Sequence, residues 1–188
     1  MPKDDEQQAF EKILSSNFGR VVDFVKFAEG KNGALFAFCS GWIIASVNFL
    51  NSQNALTSEY RTAFSLALPL FTLAALICLV SFLPRISLIR FHKRSDGARS
   101  LLFFGDMPTF EITALRQRFL ERYLPPKGQS FTEKYLDDLC VQIAVNSQIA
   151  TRKFRMFTAS ASCVLLAMAI LSIPPIWQVF RIALAMAS

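Results

Sequence analysis

TAFSLALPLFTLAALICLVSFLP, residues 62–84, contains no Asp, Glu, Lys, Arg or His. Roughly 18 to 25 helical residues, at about 1.5 Å rise each, match a hydrocarbon core of about 30 Å, and a helix satisfies its own backbone where lipid offers no partner. The stretch is therefore long enough to cross a bilayer. Residues 33–50 and 156–180 repeat the pattern. The fold class that follows is an all-α integral membrane protein with three transmembrane helices.

Composition agrees. Hydrophobic residues make up 53%, charged residues 18%, and Phe occurs 19 times, a balance too apolar for an ordinary soluble chain. At 188 residues the chain is expected to form one compact unit rather than several domains. The first apolar run starts late and follows the acidic Asp4, Asp5 and Glu6, so it is expected to stay in the mature protein rather than act as a cleaved signal.

Positive charge is sharply partitioned. Five Lys or Arg precede the first run, Arg61 lies in the short 51–61 connection, thirteen fall between Arg85 and Arg155, and Arg181 follows the last run. Lys and Arg near span ends are held on the cytoplasmic side. Arg85, Arg90, Lys93 and Arg94 follow the second run, and Arg152, Lys153 and Arg155 precede the third. The expected topology puts the amino terminus and the 85–155 region on the cytoplasmic side, with the carboxyl terminus outside. This insertion bias accounts for most of the net charge of +6 without nucleic acid, although Arg116, Arg118 and Arg122 lie farther from the spans.

The domains expected are an amphipathic cytoplasmic helix at 1–32, spans at 33–50, 62–84 and 156–173, a cytoplasmic module at 85–155, and a segment at 176–188. Pro174-Pro175 is expected to end the third span, because each proline lacks an N–H and its ring meets the preceding turn. The segment beyond reads as a fourth, interfacial helix with Trp177 and Arg181 at headgroup level.

Before the first span, Phe10, Ile13, Leu14, Val21, Phe24, Val25 and Ala28 recur at three- and four-residue steps, marking an amphipathic helix that packs on its own chain or on another subunit. In the 85–155 region Thr109 is placed to cap a helix with apolar Ile112, Leu115, Phe119, Leu120 and Tyr123, ending at Pro125-Pro126. Ser130 and Glu133 have capping-box spacing, and nothing then interrupts a helix until Pro174. Its stripe of Leu136, Leu139, Ile143, Asn146 and Ala150 suits packing on the amino-terminal helix or on a sister subunit.

Within the first span Gly33, Ala37, Gly41 and Ala45 fall every four residues, a small-residue ridge that lets helices approach closely within or between chains. No charge lies inside any span, which argues against a proton relay or coupled transporter. Three spans are too few to enclose a pathway alone, so a pore requires several copies. Cys39, Cys78 and Cys163 lie in spans and Cys140 in a helix, so no disulfide framework or CxxC zinc pattern is present; with His92 the single histidine, no metal site is expected. No catalytic triad, phosphate-binding glycine loop or paired carboxylate stands out, so no enzyme activity and no cofactor are expected.

Three blocks carry a family resemblance: Phe27-Ala28-Glu29-Gly30-Lys31-Asn32-Gly33-Ala34, Leu101-Leu102-Phe103-Phe104-Gly105-Asp106, and 142–154, which includes Asn146 and Lys153. They resemble the transmembrane effectors of the bacterial Pycsar antiphage system and its relatives in other nucleotide-signalled defence operons. The family pattern has Asp where this chain has Glu29, and Asn where it has Ser100. The resemblance implies an effector that senses a nucleotide or oligonucleotide signal from a neighbouring nucleotidyltransferase or cyclase and disrupts the inner membrane, causing abortive infection; the sequence does not select the signal, nor whether it opens or closes a pore. A homo-oligomeric pore, with a tetramer as the working guess, would carry a cytoplasmic collar.

On that reading the phosphate-binding candidates are Arg94, Arg99, Arg116, Arg118 and Arg122, since guanidinium binds phosphate in bidentate fashion. Phe103, Phe104 and Phe110 are candidates for base stacking, or for core packing. Glu29 and Lys153 face the same membrane boundary and suit an ion-paired latch. Two other readings remain: a non-catalytic membrane scaffold recruiting a soluble partner through 85–155, and an integral membrane enzyme, which would have only His92, Asp96 and Asp106 to work with near the lipid.

Overall fold

A computed structural model describes residues 3–52, 57–83, 101–102, 111–125 and 132–187. The described residues form four helices: α1 (Lys3–Asn51), α2 (Ser58–Phe82), α3 (Ile112–Tyr123) and α4 (Glu133–Ala187). Of these, α1, α2 and α4 are long and apolar enough to cross a membrane. The amphipathic amino-terminal helix and the first span are thus a single helix of 49 residues.

The expected break at Pro174-Pro175 is corrected. Both prolines lie inside α4, which runs unbroken for 55 residues, about 82 Å at the helical rise. Each proline withholds one N–H, yet unwinding an apolar segment in lipid would strip partners from many more backbone groups, so spans tolerate proline. The segment after Pro175 is therefore a continuation of α4, not a separate helix.

Two helix starts also differ from expectation. α3 begins at Ile112 with Glu111 as its N-cap, and Thr109 lies outside the described residues. At the start of α4 the capping oxygen comes from Thr132, whose Oγ1 accepts from the Tyr135 N–H at 3.2 Å, the N-cap to N3 geometry. Ser130 also lies outside the described residues.

The single compact unit expected is corrected: the chain divides into two, because the long α1 and α4 each run on from one cluster of packed residues into another. One comprises Met1–Lys26 and Pro84–Thr151, the other Phe27–Leu83 and Arg152–Ser188. In the second, membrane unit, α1 buries Ala28, Asn32, Cys39 and Ser46, positions four or seven apart that form one helical stripe. Cys39 joins Ala67, Phe71, Ala74 and Ala75 of α2 and Val164 and Ala167 of α4 in one core, and Trp42 stacks on Phe71 with ring centroids 5.7 Å apart. Small side chains on α2 and α4 permit close approach, and polar contacts reinforce it: Ser160 Oγ donates to the Ala74 carbonyl at 3.2 Å and lies 3.4 Å from Cys78 Sγ.

The ridge expected to pack within or between chains, Gly33, Ala37, Gly41 and Ala45, is not the face that α1 buries against its own chain. A methyl group added at Gly41 meets nothing within 4 Å, and at Gly33 it meets only the Phe82 ring at 3.9 Å. The buried stripe lies on the other side of the helix because Cys39 and Gly41, two residues apart, point about 200° apart.

In the first unit, α3 and the start of α4 are joined by Arg122, Tyr123 and Asp138. On α1, Val21 is buried and Leu14 and Val25 half-buried, whereas Phe10, Ile13 and Phe24 are about half exposed or more. Tyr135 OH of α4 lies 3.5 Å from Glu11 Oε1 of α1, which sets the start of α4 beside the amino-terminal helix. Within that stripe Leu139 and Ala150 are buried, together with Val145 and Gln142.

Candidate functional site

The charged residues of the membrane unit collect at its two ends. Glu59 and Ser81 of α2 stand 22 residues apart, about 33 Å along a helix, which matches a hydrocarbon core of about 30 Å. At the Ser81 end, three helices meet around one ammonium group. Lys153 Nζ of α4 pairs with Glu29 Oε1 of α1 at 3.0 Å and donates to the Ser81 carbonyl of α2 at 3.0 Å. Ser81 lies in the last turn of α2, where carbonyls lack intrahelical partners and positive charge is favoured; α2 carries no basic residue there, so α4 supplies it.

Asn32 completes the cluster. Fully buried, it donates through Nδ2 to its own helix at the Ala28 carbonyl, 2.8 Å, and to the Lys153 carbonyl at 3.2 Å. Its Oδ1 and the buried Ser81 Oγ have no hydrogen-bond partner among the described residues. An aromatic wall surrounds these groups. Lys31 Nζ sits 4.6 Å from the Phe27 ring centroid and 5.3 Å from that of Phe157, Lys153 Nζ lies 6.0 Å from Phe82, and Phe27 and Phe154 approach to 6.3 Å. Lys153 is 12% exposed and Glu29 48%, so the cation is held inside while its counter-ion stands half in solvent.

This arrangement brings together Glu29, Lys31, Asn32 and Lys153, which the first and third sequence blocks singled out, and it contains the expected Glu29–Lys153 ion pair. Ser81 was missed. A backbone carbonyl acceptor has no sequence signature, although its place at the end of a charge-free run beside a lysine was a usable hint.

The arginine candidates are not gathered in one place by the described residues. Arg94, Arg99, Phe103, Phe104, Gly105 and Phe110 lie outside them, and Leu102 is half-buried in a turn. Arg116 and Arg118 are exposed on α3. Arg122 is engaged: Nε and Nη2 donate to the two carboxylate oxygens of Asp138 at 2.7 and 3.0 Å. Tyr123 OH also donates to Asp138, at 2.6 Å, and Thr132 Oγ1 donates to the Arg122 carbonyl at 3.2 Å. Asp138 is 1% exposed. The hydrogen bond to Asp138 raises the Arg122 pKa, while burial, followed by the same carboxylate, pushes Tyr123 up to about 12. A phosphate would have to displace Asp138 or use the remaining Nη1 edge. Asn146 is half-buried and its Nδ2 donates to the Gln142 carbonyl of its own helix. Among the described residues no cluster of His, Cys, Asp and Glu is suited to a metal.

A family model described as the Pycsar effector protein domain matches residues 13–180, which enclose both clusters. The chain belongs to the Pycsar effector family. Among relatives of this Pycsar effector, the Pycsar effector protein RsPycTM of a Rhizobium species is 40% identical over 174 residues, covering 90% of this chain and 99% of that protein. No solved structure matches. Family membership and three apolar helices together make the chain a transmembrane effector of antiphage defence.

Proposed function

We propose that this Pycsar effector forms a homo-oligomeric pore in the bacterial inner membrane, gated by a nucleotide signal, and that its opening disrupts the membrane of the infected cell. The observation that carries the reading is the Lys153 cluster. One ammonium holds α1, α2 and α4 together at a membrane boundary, through one half-exposed ion pair and one carbonyl contact that a modest rearrangement can break. α1 and α4 are each continuous through the positions at which the two units divide. A signal bound on the first unit therefore has covalent helical routes to Glu29 and to Lys153.

In this reading the first unit is cytoplasmic, in line with the thirteen Lys and Arg between Arg85 and Arg155, and the amino terminus lies on the same side. Signal phosphates meet Arg116 and Arg118, with Arg94 and Arg99 as further ligands, while Arg122 holds the unit together through Asp138. Oligomerisation is supported by two faces of α1 that its own chain leaves open: Phe10, Ile13 and Phe24 outside the span, and the Ala37–Gly41 ridge within it. Signal binding acts by preferring one arrangement of these contacts over another, whichever of the two is conducting.

Dye-filled liposomes carrying the purified protein test the reading. Release that changes on adding one class among cyclic mononucleotides, cyclic oligonucleotides and linear oligonucleotides is the expected result. No release under any of these conditions would rule out the pore.

A further inference from the structure

At the other end of the membrane unit, α2 and α4 flank a groove of about 490 Å³ lined by Thr62, Leu66, Ile170, Ile173, Pro174 and Trp177, a volume within the range of small-molecule sites, about 300–1,000 Å³. Its floor is apolar and its rim carries both signs of charge. Arg181 Nη2 donates to Glu59 Oε1 at 3.1 Å, and the guanidinium stacks on Trp177 at 5.5 Å. Tyr60 OH donates to Gln178 Oε1 at 3.1 Å. The pair uses one guanidinium nitrogen and one carboxylate oxygen, and both side chains remain substantially exposed. Thr57, the N-cap of α2, makes no side-chain capping bond, so the partly positive first turn of that helix faces the rim without one.

We propose that this groove binds one phospholipid whose headgroup combines a phosphate with a primary ammonium, as in phosphatidylethanolamine. The chemistry of the rim selects it. The remaining guanidinium donors and the first turn of α2 suit the phosphate, and the unused oxygen of Glu59 accepts from the ammonium. A glycerol headgroup offers Glu59 only neutral hydroxyls and no cation to offset its phosphate, and a choline headgroup has no N–H to donate. An acyl chain runs along Leu66 and Ile170, whose surroundings are apolar, and Trp177 sits at headgroup depth as interfacial indoles do. The site requires only that the helices cross a bilayer, so it stands or falls separately from the pore.

The chain has two tryptophans, and Trp42→Phe keeps an aromatic ring against Phe71 while leaving Trp177 as the sole indole. The full-length variant is reconstituted in bilayers containing dibrominated phosphatidylethanolamine, phosphatidylcholine or phosphatidylglycerol with identical chains, and Trp177 quenching is measured. The relative affinity for the ethanolamine lipid should exceed that for the other two by about threefold, what an exposed ion pair is worth. Adding Glu59→Gln should erase its advantage over the choline lipid. Equal quenching by all three lipids would overturn the proposal, as would preference for the glycerol lipid. Absence of quenching would also overturn it, the outcome expected if a second copy covers the groove instead. The comparison of lipids on the Trp42→Phe protein decides the matter even if the Glu59 variant fails to insert.

Discussion

Two charge clusters in this chain are built in opposite ways. Asp138 is almost wholly enclosed, takes both arms of Arg122 and a phenol hydroxyl, and ties α3 to the start of α4. Lys153 is enclosed too, but its counter-ion is half in water, and it reaches two different helices with single contacts. The first cluster has the redundancy of a fixed joint. The second holds three elements through bonds that can be given up one at a time, the property a gate needs. Placement reinforces the contrast: the fixed joint belongs to the first unit, the releasable one to a boundary of the membrane unit.

The comparison breaks first at Asp138. Replacing it by Ala leaves the Arg122 guanidinium without its buried partner, a loss of about 3–5 kcal/mol. Thermal unfolding in detergent should show the first unit melting far earlier, and a shift no larger than that of a surface variant would refute the fixed joint. Lys153→Met comes next. It removes a cation and leaves the Ser81 carbonyl unpaired, at a cost of about 1–3 kcal/mol, and basal dye release should change more than the melting temperature does.

Tyr123→Phe removes one hydrogen bond to a charged group, about 1.5–3 kcal/mol at most. The phenol, raised from 10 to about 12 in the folded chain, stays protonated there after the unfolded chain begins to ionise. Its contribution is complete below pH 10 and is lost as the pH rises through about 12. The difference in stability between wild type and variant should therefore shrink over that window. Last in size for the protomer is Gly41→Leu, at a position where an added Cβ meets no atom within 4 Å, and it should leave unfolding almost unchanged. If the ridge is the seam between copies, the mass of the particle in detergent falls. An unchanged mass would move the seam elsewhere.

The three crossing helices were legible because runs free of charge have one physical meaning at that length. The Glu29–Lys153 pair was legible too, since both residues flank span ends. The proline pair misled because the cost of two lost N–H groups is visible in sequence, whereas the larger cost of unwinding in lipid is not. The ridge at Gly33 to Ala45 drew attention by its regular spacing, while the close packing is done by alanines of α2 and α4, whose partners are set by which face Cys39 turns inward. Asp138 gave no local signal. Its partners lie fifteen and sixteen positions away, and only the folding of α3 onto α4 brings them together.

The central claim is that the Glu29–Lys153 contact is the releasable element controlling the membrane. A double-mutant cycle on dye release tests it, using wild type, Glu29→Gln, Lys153→Met and the double variant in liposomes, each titrated with the nucleotide that changes release from the wild type. The account predicts that all three variants shift the half-effective concentration in the same direction, and that the double variant shifts it no more than Lys153→Met alone, because Glu29 acts only through the contact that Lys153→Met already removes. Effects that simply multiply, or no shift in any of the three, would contradict it.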